Sequence, residues 1–302
     1  MICILVTVFA GLVGLASGSF LNTCASRWPE DEKVTTPRSH CRSCGRTLTW
    51  WENVPLVSWM ALRGRCRTCR AWIGWRYPLA ELAIGVLWAY CAWQVFIAAP
   101  ELNSGIFSFN VWAALTEAIA RMIFLWLLVA LAVLDAEFLW LPDRLTLPGI
   151  GLGLLLAVTR ATLDAFWNLH GGFEVWEHVL PSTVVLFWFL GAVLGGGVLL
   201  AIRFAYRVIR DQEGIGFGDV KLMAMIGGWI GLKGALLSFV LAVVLGAVVS
   251  LALRGPASTH ASSEKWHLRK VPFGTFLCIG GIVSGLWGKF IIAAYLRWSG
   301  FL

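Results

Sequence analysis

Charge is what this 302-residue sequence has least of: 14% of its residues are Asp, Glu, Lys or Arg, against 59% hydrophobic. That balance lies outside the range of soluble domains, so a membrane protein is the first reading. Other absences narrow it. The first apolar run, Met1 to Cys24, has no basic region ahead of it and no small-x-small cleavage pattern, and it reads as a retained helix, not a secretory signal. No glycine-rich Rossmann fingerprint occurs. A disulfide framework is not expected either, since Cys3, Cys24, Cys91 and Cys278 sit in apolar runs as small hydrophobes. The net charge of +7 falls mostly in loops between apolar runs, which makes it a topology signal and removes nucleic acid as the expected partner.

What is present is apolar length. A membrane helix needs about 20 mostly apolar residues, and such runs occur at 2–24, 79–99, 117–135, 145–163, 181–202, 218–232, 235–253 and 272–295. Many of the eighteen tryptophans flank these runs, as at Trp28, Trp112, Trp140, Trp176, Trp266 and Trp298, where an indole is half in lipid and half in water. The expected fold is all-α, a polytopic integral membrane protein of about eight transmembrane helices in a lipid bilayer. The sixth run is short and glycine-rich and is expected to be broken or tilted. Three parts follow: a first helix over 1–26, a basic loop over 27–77, and a membrane core over 78–302.

Orientation follows from the basic residues. Loop 27–77 carries ten Lys and Arg against four acids and should be cytoplasmic. Counting spans from it, segments 136–144, 203–217 and 254–271 face the same side, with Arg144, Arg203, Arg207, Arg210, Arg254, Lys265, Arg269 and Lys270. Loop 164–180 faces outward with Asp164, Glu174 and Glu177 and no Lys or Arg. Asp135 therefore ends the third span at the depth where Asp219 opens the sixth.

Acids at membrane helices are costly, which makes those that persist functional candidates. Asp219 follows Gly216-Phe217-Gly218, where glycines let a second backbone, such as an extended substrate, approach closely. Two carboxylates brought together share one proton, so that one activates water while the other donates to a peptide carbonyl. Asp143, next to Pro142 at a helix start, reads as structural, and Glu137 as interfacial and the second choice should Asp135 be inert. Lys221 lies roughly 200° round an ideal helix from Asp219 and is expected to snorkel to headgroups instead of pairing with it.

Cys41-x-x-Cys44 and Cys66-x-x-Cys69 have the spacing of a tetrahedral four-cysteine zinc site, which would supply much of the order of so small a loop; a redox pair and reduced thiols without metal are the alternatives. His40 is a weak substitute ligand.

Taken together, these residues resemble the bacterial type IV prepilin peptidase family, also known as the prepilin leader peptidases and N-methyltransferases. The resemblance runs through Gly18-Ser19-Phe20-Leu21-Asn22 with Arg27 and Pro29, then the cysteine loop with Trp50 to Trp59, and Arg76-Tyr77-Pro78-Leu79-Ala80-Glu81. It continues at Asp135 with Leu141-Pro142-Asp143, at Gly216 to Lys221, and at Val271-Pro272-Phe273-Gly274. It implies an aspartyl endopeptidase of the bacterial inner membrane, with Asp135 and Asp219 catalytic. The basic leader of type IV prepilins or type II secretion pseudopilins would be removed after a glycine on the cytoplasmic side. It also implies methylation of the new N-terminus with S-adenosylmethionine, and aligns the family's loop cysteines with Cys41, Cys44, Cys66 and Cys69. Glu81 matches a family acid, with a plain helix-packing role as its alternative. Two other readings use part of the pattern: a transporter with intramembrane acids as a proton relay, and a non-enzymatic zinc scaffold for pilus assembly.

Overall fold

The computed structural model describes residues 2–36, 38–104, 109–171, 181–211, 216–252 and 272–300. They form α1 (Ile2–Arg27), α2 (Val57–Ala61), α3 (Arg76–Ala98), α4 (Phe109–Phe138), α5 (Asp143–Gly171), α6 (Pro181–Arg210), α7 (Phe217–Ala252) and α8 (Phe273–Trp298). Among the described residues there is no strand, only two isolated bridges, and seven helices are long and apolar enough to cross a membrane. Their outward faces carry bare apolar side chains, among them Phe9, Phe187 and Phe290, each about two-thirds exposed or more, as a lipid-facing surface requires. The protein is a multi-pass membrane protein.

The difference between seven helices and eight expected spans lies in α7. Gly231 interrupts it with φ 73° and ψ 172°, a conformation that favours glycine. Met223 and Ala235 would lie about 18 Å apart along a straight helix. Yet the Met223 carbonyl oxygen and the Ala235 Cβ are 3.1 and 3.5 Å from the position a Cβ would take on Gly195. The chain therefore turns back at Gly231, and α7 is a pair of legs, 217–230 and 232–252, that matches the sixth and seventh expected runs. The first leg, about 21 Å long, falls short of the roughly 30 Å apolar core of a bilayer.

The chain divides into two compact units, Met1–Val133 and Leu134–Leu302, with the boundary inside α4. In the first, α1 and α3 pack backbone to backbone: a Cβ on Gly18 would stand 2.6 Å from the Glu81 Cα. Indole N–H groups tie further turns, from Trp88 to the Met122 carbonyl at 3.0 Å and from Trp126 to that of Ser17 at 3.3 Å.

In the second unit α6 crosses the first leg of α7 at Gly191 and Gly227, where a Cβ on either would lie about 2 Å from the other's carbonyl oxygen. The second leg runs along α8, with Gly280 against Ser238 and the Ser284 hydroxyl donating to the Gly234 carbonyl at 2.8 Å. Such small-residue contacts are how helices associate in lipid, where no hydrophobic gain drives them together.

Helix ends also differ from expectation. α6 continues to Arg210, so Arg203, Arg207 and Arg210 lie on a helix and not in a loop; the last two sit in its final turn, where cations complement the helix dipole. The fourth helix begins at Phe109, eight residues before the expected start. Part of loop 164–180, including Glu174, Trp176 and Glu177, and all of the basic segment 254–271 lie outside the described residues.

Candidate active site

Asp135 stands in the last turn of α4. That helix ends with Leu139 in a left-handed conformation, φ 51°, whose N–H donates to the Asp135 carbonyl at 2.9 Å and so caps the turn. The Asp135 side chain is buried, the residue being 5% exposed. Its Oδ2 accepts the Thr275 N–H at 2.6 Å and the Thr275 hydroxyl at 3.0 Å. Thr275 belongs to the first turn of α8, where backbone N–H groups have no helical partner, so the carboxylate satisfies a donor that would otherwise be bare.

Asp219 is the third residue of α7, also in a first turn, and is 9% exposed. Its Oδ2 lies 3.3 Å from where a Cβ of Gly216 would be. The space between the two acids is bounded by Leu141. A Cβ on Gly218 would stand 3.0 Å from the Leu141 Cβ, and one on Gly274 would stand 2.9 Å from the Asp135 Cγ and 3.0 Å from the Leu141 Cδ1. Asp135, Gly274, Leu141, Gly218 and Asp219 thus form one contiguous chain of contacts, and the two carboxylates are close enough for their charges to interact. The starts of α7 and α8 and the end of α4 meet at one level, which is possible only because α7 turns back at Gly231.

The remaining polar residues are sorted by the same geometry. Glu137 is exposed. Asp143 opens α5, but its Oδ1 accepts the Lys221 ammonium at 2.6 Å. This corrects the expectation that Lys221 snorkels to headgroups: it does not pair with Asp219, yet it is held by another carboxylate 78 positions away in sequence, with the Phe217 ring 5.0 Å below it. Gly218 is filled from one side by Leu141, while Gly216 stays exposed. Leu141 and Gly274 enter the sequence reading only as parts of motifs, with no role at the site, and Thr275 does not enter it. The run Phe273-Gly274-Thr275 is the signal that could have found them, a glycine and a hydroxyl at the first turn of a span.

The first unit holds the cysteines. Two turns of one design carry them: the Cys41 N–H donates to the Arg46 carbonyl and the Gly45 N–H to that of Cys41, as the Cys66 N–H does to Ala71 and the Arg70 N–H to Cys66. Gly45 and Arg70 take equivalent left-handed positions at φ 70° and 59°. The four sulfurs lie within 4.8 Å of one another, and the Cys41 and Cys69 Sγ atoms are 3.8 Å apart. The edge of a tetrahedron of sulfurs around an ion at about 2.3 Å is about 3.8 Å, the Cys41–Cys69 separation, so the cluster could hold a metal ion once its wider pairs close in. Backbone amides of Cys69 and Thr68 aim at the Cys66 sulfur and hold its thiol down to about 6, whereas, against the Arg46 amide, desolvation and the neighbouring sulfurs push the Cys44 thiol up to about 11, so the four do not all favour the thiolate a metal needs. His40 turns away, its Nδ1 3.2 Å from the Arg38 carbonyl.

Beside the cluster, Glu52 accepts both arms of the Arg46 guanidinium at 2.6 and 3.1 Å, and the Thr49 N–H and hydroxyl at 2.8 and 2.7 Å. The guanidinium holds this carboxyl down to about 2. The arrangement is a capping box, and it anchors the loop between the two cysteine pairs.

Seven apolar helices among the described residues, whose ends bring two buried aspartates to one level, define the class, a multi-pass membrane protein with a paired-acid site. Comparison with known proteins narrows this. Residues 12–95 match the family model described as the bacterial peptidase A24 N-terminal domain, and residues 122–251 match the type IV leader peptidase family. The chain belongs to the type IV leader peptidase family. Curated relatives include a prepilin leader peptidase/N-methyltransferase of Stutzerimonas stutzeri, 32% identical over 95% of this chain and 93% of that protein. One of the same name from Pseudomonas aeruginosa is 33% identical over 96% and 93%, and one from Aeromonas salmonicida is 34% identical over 89% and 78%. No solved structure matches the chain.

Proposed function

We propose that this protein removes the basic leader of type IV prepilins or type II secretion pseudopilins and then methylates the exposed amino terminus, at the cytoplasmic face of the bacterial inner membrane. Family membership and relatives named as leader peptidase/N-methyltransferases over nearly the whole chain support the two activities. The observation that carries the hydrolytic half is the meeting of Asp135 and Asp219 at helix ends, buried and bounded by Leu141. The basic residues of loop 27–77 and of the last turn of α6 support the cytoplasmic orientation.

In this reading the pair holds one proton. The unprotonated carboxylate takes a proton from water as the oxygen attacks the scissile carbonyl, and the protonated partner donates to the carbonyl oxygen. Collapse of the tetrahedral intermediate breaks the C–N bond, and the leaving nitrogen is protonated as the pair returns to one shared proton. Which aspartate begins as base is a property of the pair, since the two titrate together. Thr275 holds Asp135 in one rotamer, and the exposed Gly216 leaves room beside Asp219 for an extended substrate. The cysteines Cys41, Cys44, Cys66 and Cys69 would hold a structural zinc that orders loop 27–77. S-adenosylmethionine, when bound, supplies an electrophilic methyl group to the new terminal amine.

Incubation of the purified protein with a prepilin and methyl-labelled S-adenosylmethionine tests both steps at once. Shortening of the prepilin with label on its new first residue is expected. An uncut prepilin would rule out the first step, and a shortened but unlabelled product the second.

A further inference from the structure

A cavity of ≈ 660 Å³ opens within the first unit, between α1, the cysteine loop and the start of α3. That volume is in the range of small-molecule sites, roughly 300–1,000 Å³. It lies on no part of the aspartate pair. Its lining combines a buried acid, Glu81, with the rings of Trp59, Trp72 and Tyr77 and the amide of Asn22, while Arg27, Arg42 and Arg67 line the part nearer Cys41 and Cys66 and could face a ligand's carboxylate.

Glu81 is 7% exposed, and its Oε2 accepts the Leu56 N–H at 2.8 Å. No Lys or Arg forms an ion pair with it among the described residues. A buried carboxylate without a cation is costly, and it is a ready counter-charge for a cationic ligand. The backbone is distorted to serve it: Leu56 adopts φ 58° and ψ −48°, a region a leucine rarely enters, and in that conformation its N–H reaches Glu81. Asn22 is 2% exposed; its amide donates to the Tyr77 carbonyl at 2.9 Å, but its Oδ1 accepts from no group. An orphan acceptor of this kind in a cavity wall is unusual, and a ligand donor would satisfy it. Trp59 and Trp72 stand edge to face with centroids 5.9 Å apart and offer flat apolar surface to a planar base.

We propose that this cavity is the methyl-donor site, taking S-adenosylmethionine with Glu81 as counter-charge to its cationic sulfonium and amino groups and the tryptophans as the platform for its adenine. The assignment rests on the methylation reading above and adds its location. It also accounts for a methyltransferase chain that lacks a glycine-rich nucleotide fingerprint: recognition here is by a buried acid and indoles between helices.

The test uses the full chain in detergent and reads binding. Wild-type protein is titrated with S-adenosylmethionine and with S-adenosylhomocysteine, which lacks the sulfonium charge, and the Glu81→Gln variant with both. Loss of a charge-assisted contact should weaken S-adenosylmethionine binding about tenfold or more in the variant. S-adenosylhomocysteine binding should change by less than about threefold, which also shows that the variant is folded. Unchanged S-adenosylmethionine affinity in the variant overturns the proposal. A second measurement needs no variant: ultraviolet crosslinking of labelled S-adenosylmethionine to wild-type protein should mark peptides within 18–81, and label confined to residues beyond 133 overturns it. A protein that methylates pilin but crosslinks elsewhere loses only this assignment, whereas one that neither binds the donor nor methylates loses the methylation reading itself.

Discussion

The cysteine loop and the aspartate pair are held in place by opposite means. The loop has little apolar core, and its order comes from polar groups: repeated backbone bonds around each cysteine pair, the Arg46–Glu52 fork, and sulfurs spaced for an ion. The aspartates sit among apolar helices, and their order comes from removed side chains, with Gly218 and Gly274 letting Leu141 and Asp135 close on two helix starts. Held by the proposed zinc, the first arrangement should dissolve when that one ligand is taken away. The second can be dissolved by adding one methyl group.

The largest effect should come from the acids themselves. Asp135→Asn and Asp219→Asn should each lower leader cleavage by about a thousandfold or more, the scale of a lost acid–base group, with normal expression. A gel assay of prepilin shortening in detergent reads this, and full activity in either variant would remove the pair from the mechanism. Wild-type rates should also rise and fall with pH, because the active pair carries one proton and not two or none.

The glycine contacts come next. Gly274→Ala places a methyl 2.9 Å from the Asp135 Cγ, and either the carboxylate or α8 must move. Displacement of a reacting group by about 1 Å costs on the order of a hundredfold in rate. Gly151→Ala, which meets nothing within 4 Å, should leave cleavage unchanged, and it controls for helix propensity. Equal rates for the two variants would mean that the close packing at the pair is incidental.

The loop should show the converse pattern. Elemental analysis should find one zinc per chain, and Cys66→Ser should release it and make loop 27–77 sensitive to protease. Cleavage by the same variant should fall less than about tenfold, because the aspartates are anchored by contacts to Gly274, Leu141 and Thr275 and not by the metal. A thousandfold loss of cleavage on metal release would show that the two regions are not independent.

How far each region could be read in sequence follows from the same contrast. The cysteines announce themselves because their spacing is local, four residues in two pairs, and the sulfurs do converge. The common level of Asp135 and Asp219 was also legible, from span counting and basic loops, because depth needs only a tally of helices. Contacts between helices were not. Thr275 lies 140 positions from the Asp135 it binds, and nothing in either segment's periodicity names the other. The reversal at Gly231 was only half visible: the glycine-rich stretch marked a break, but not that the chain doubles back there. α6 ran past its expected end because arginines are good helix formers, so a hydropathy limit at 202 is not a backbone limit.

The smallest effect separates architecture from chemistry at the site's edge. Lys221 and Asp143 join the first turns of α7 and α5, with the ammonium 2.6 Å from the carboxylate but the Asp143 side chain 56% exposed. An ion pair this open is worth about 0.5 kcal/mol, and it weakens as salt screens it. Lys221→Met and Asp143→Asn should each lower the thermal midpoint slightly, and the double variant should lose no more than the larger single loss, since both remove one interaction. Cleavage should follow stability in all three, with KM and kcat each within about threefold of wild type. A selective fall in kcat for Lys221→Met alone would instead place the ammonium's charge among the groups that act on the aspartate pair, and the boundary between frame and chemistry drawn here would move inward by one residue.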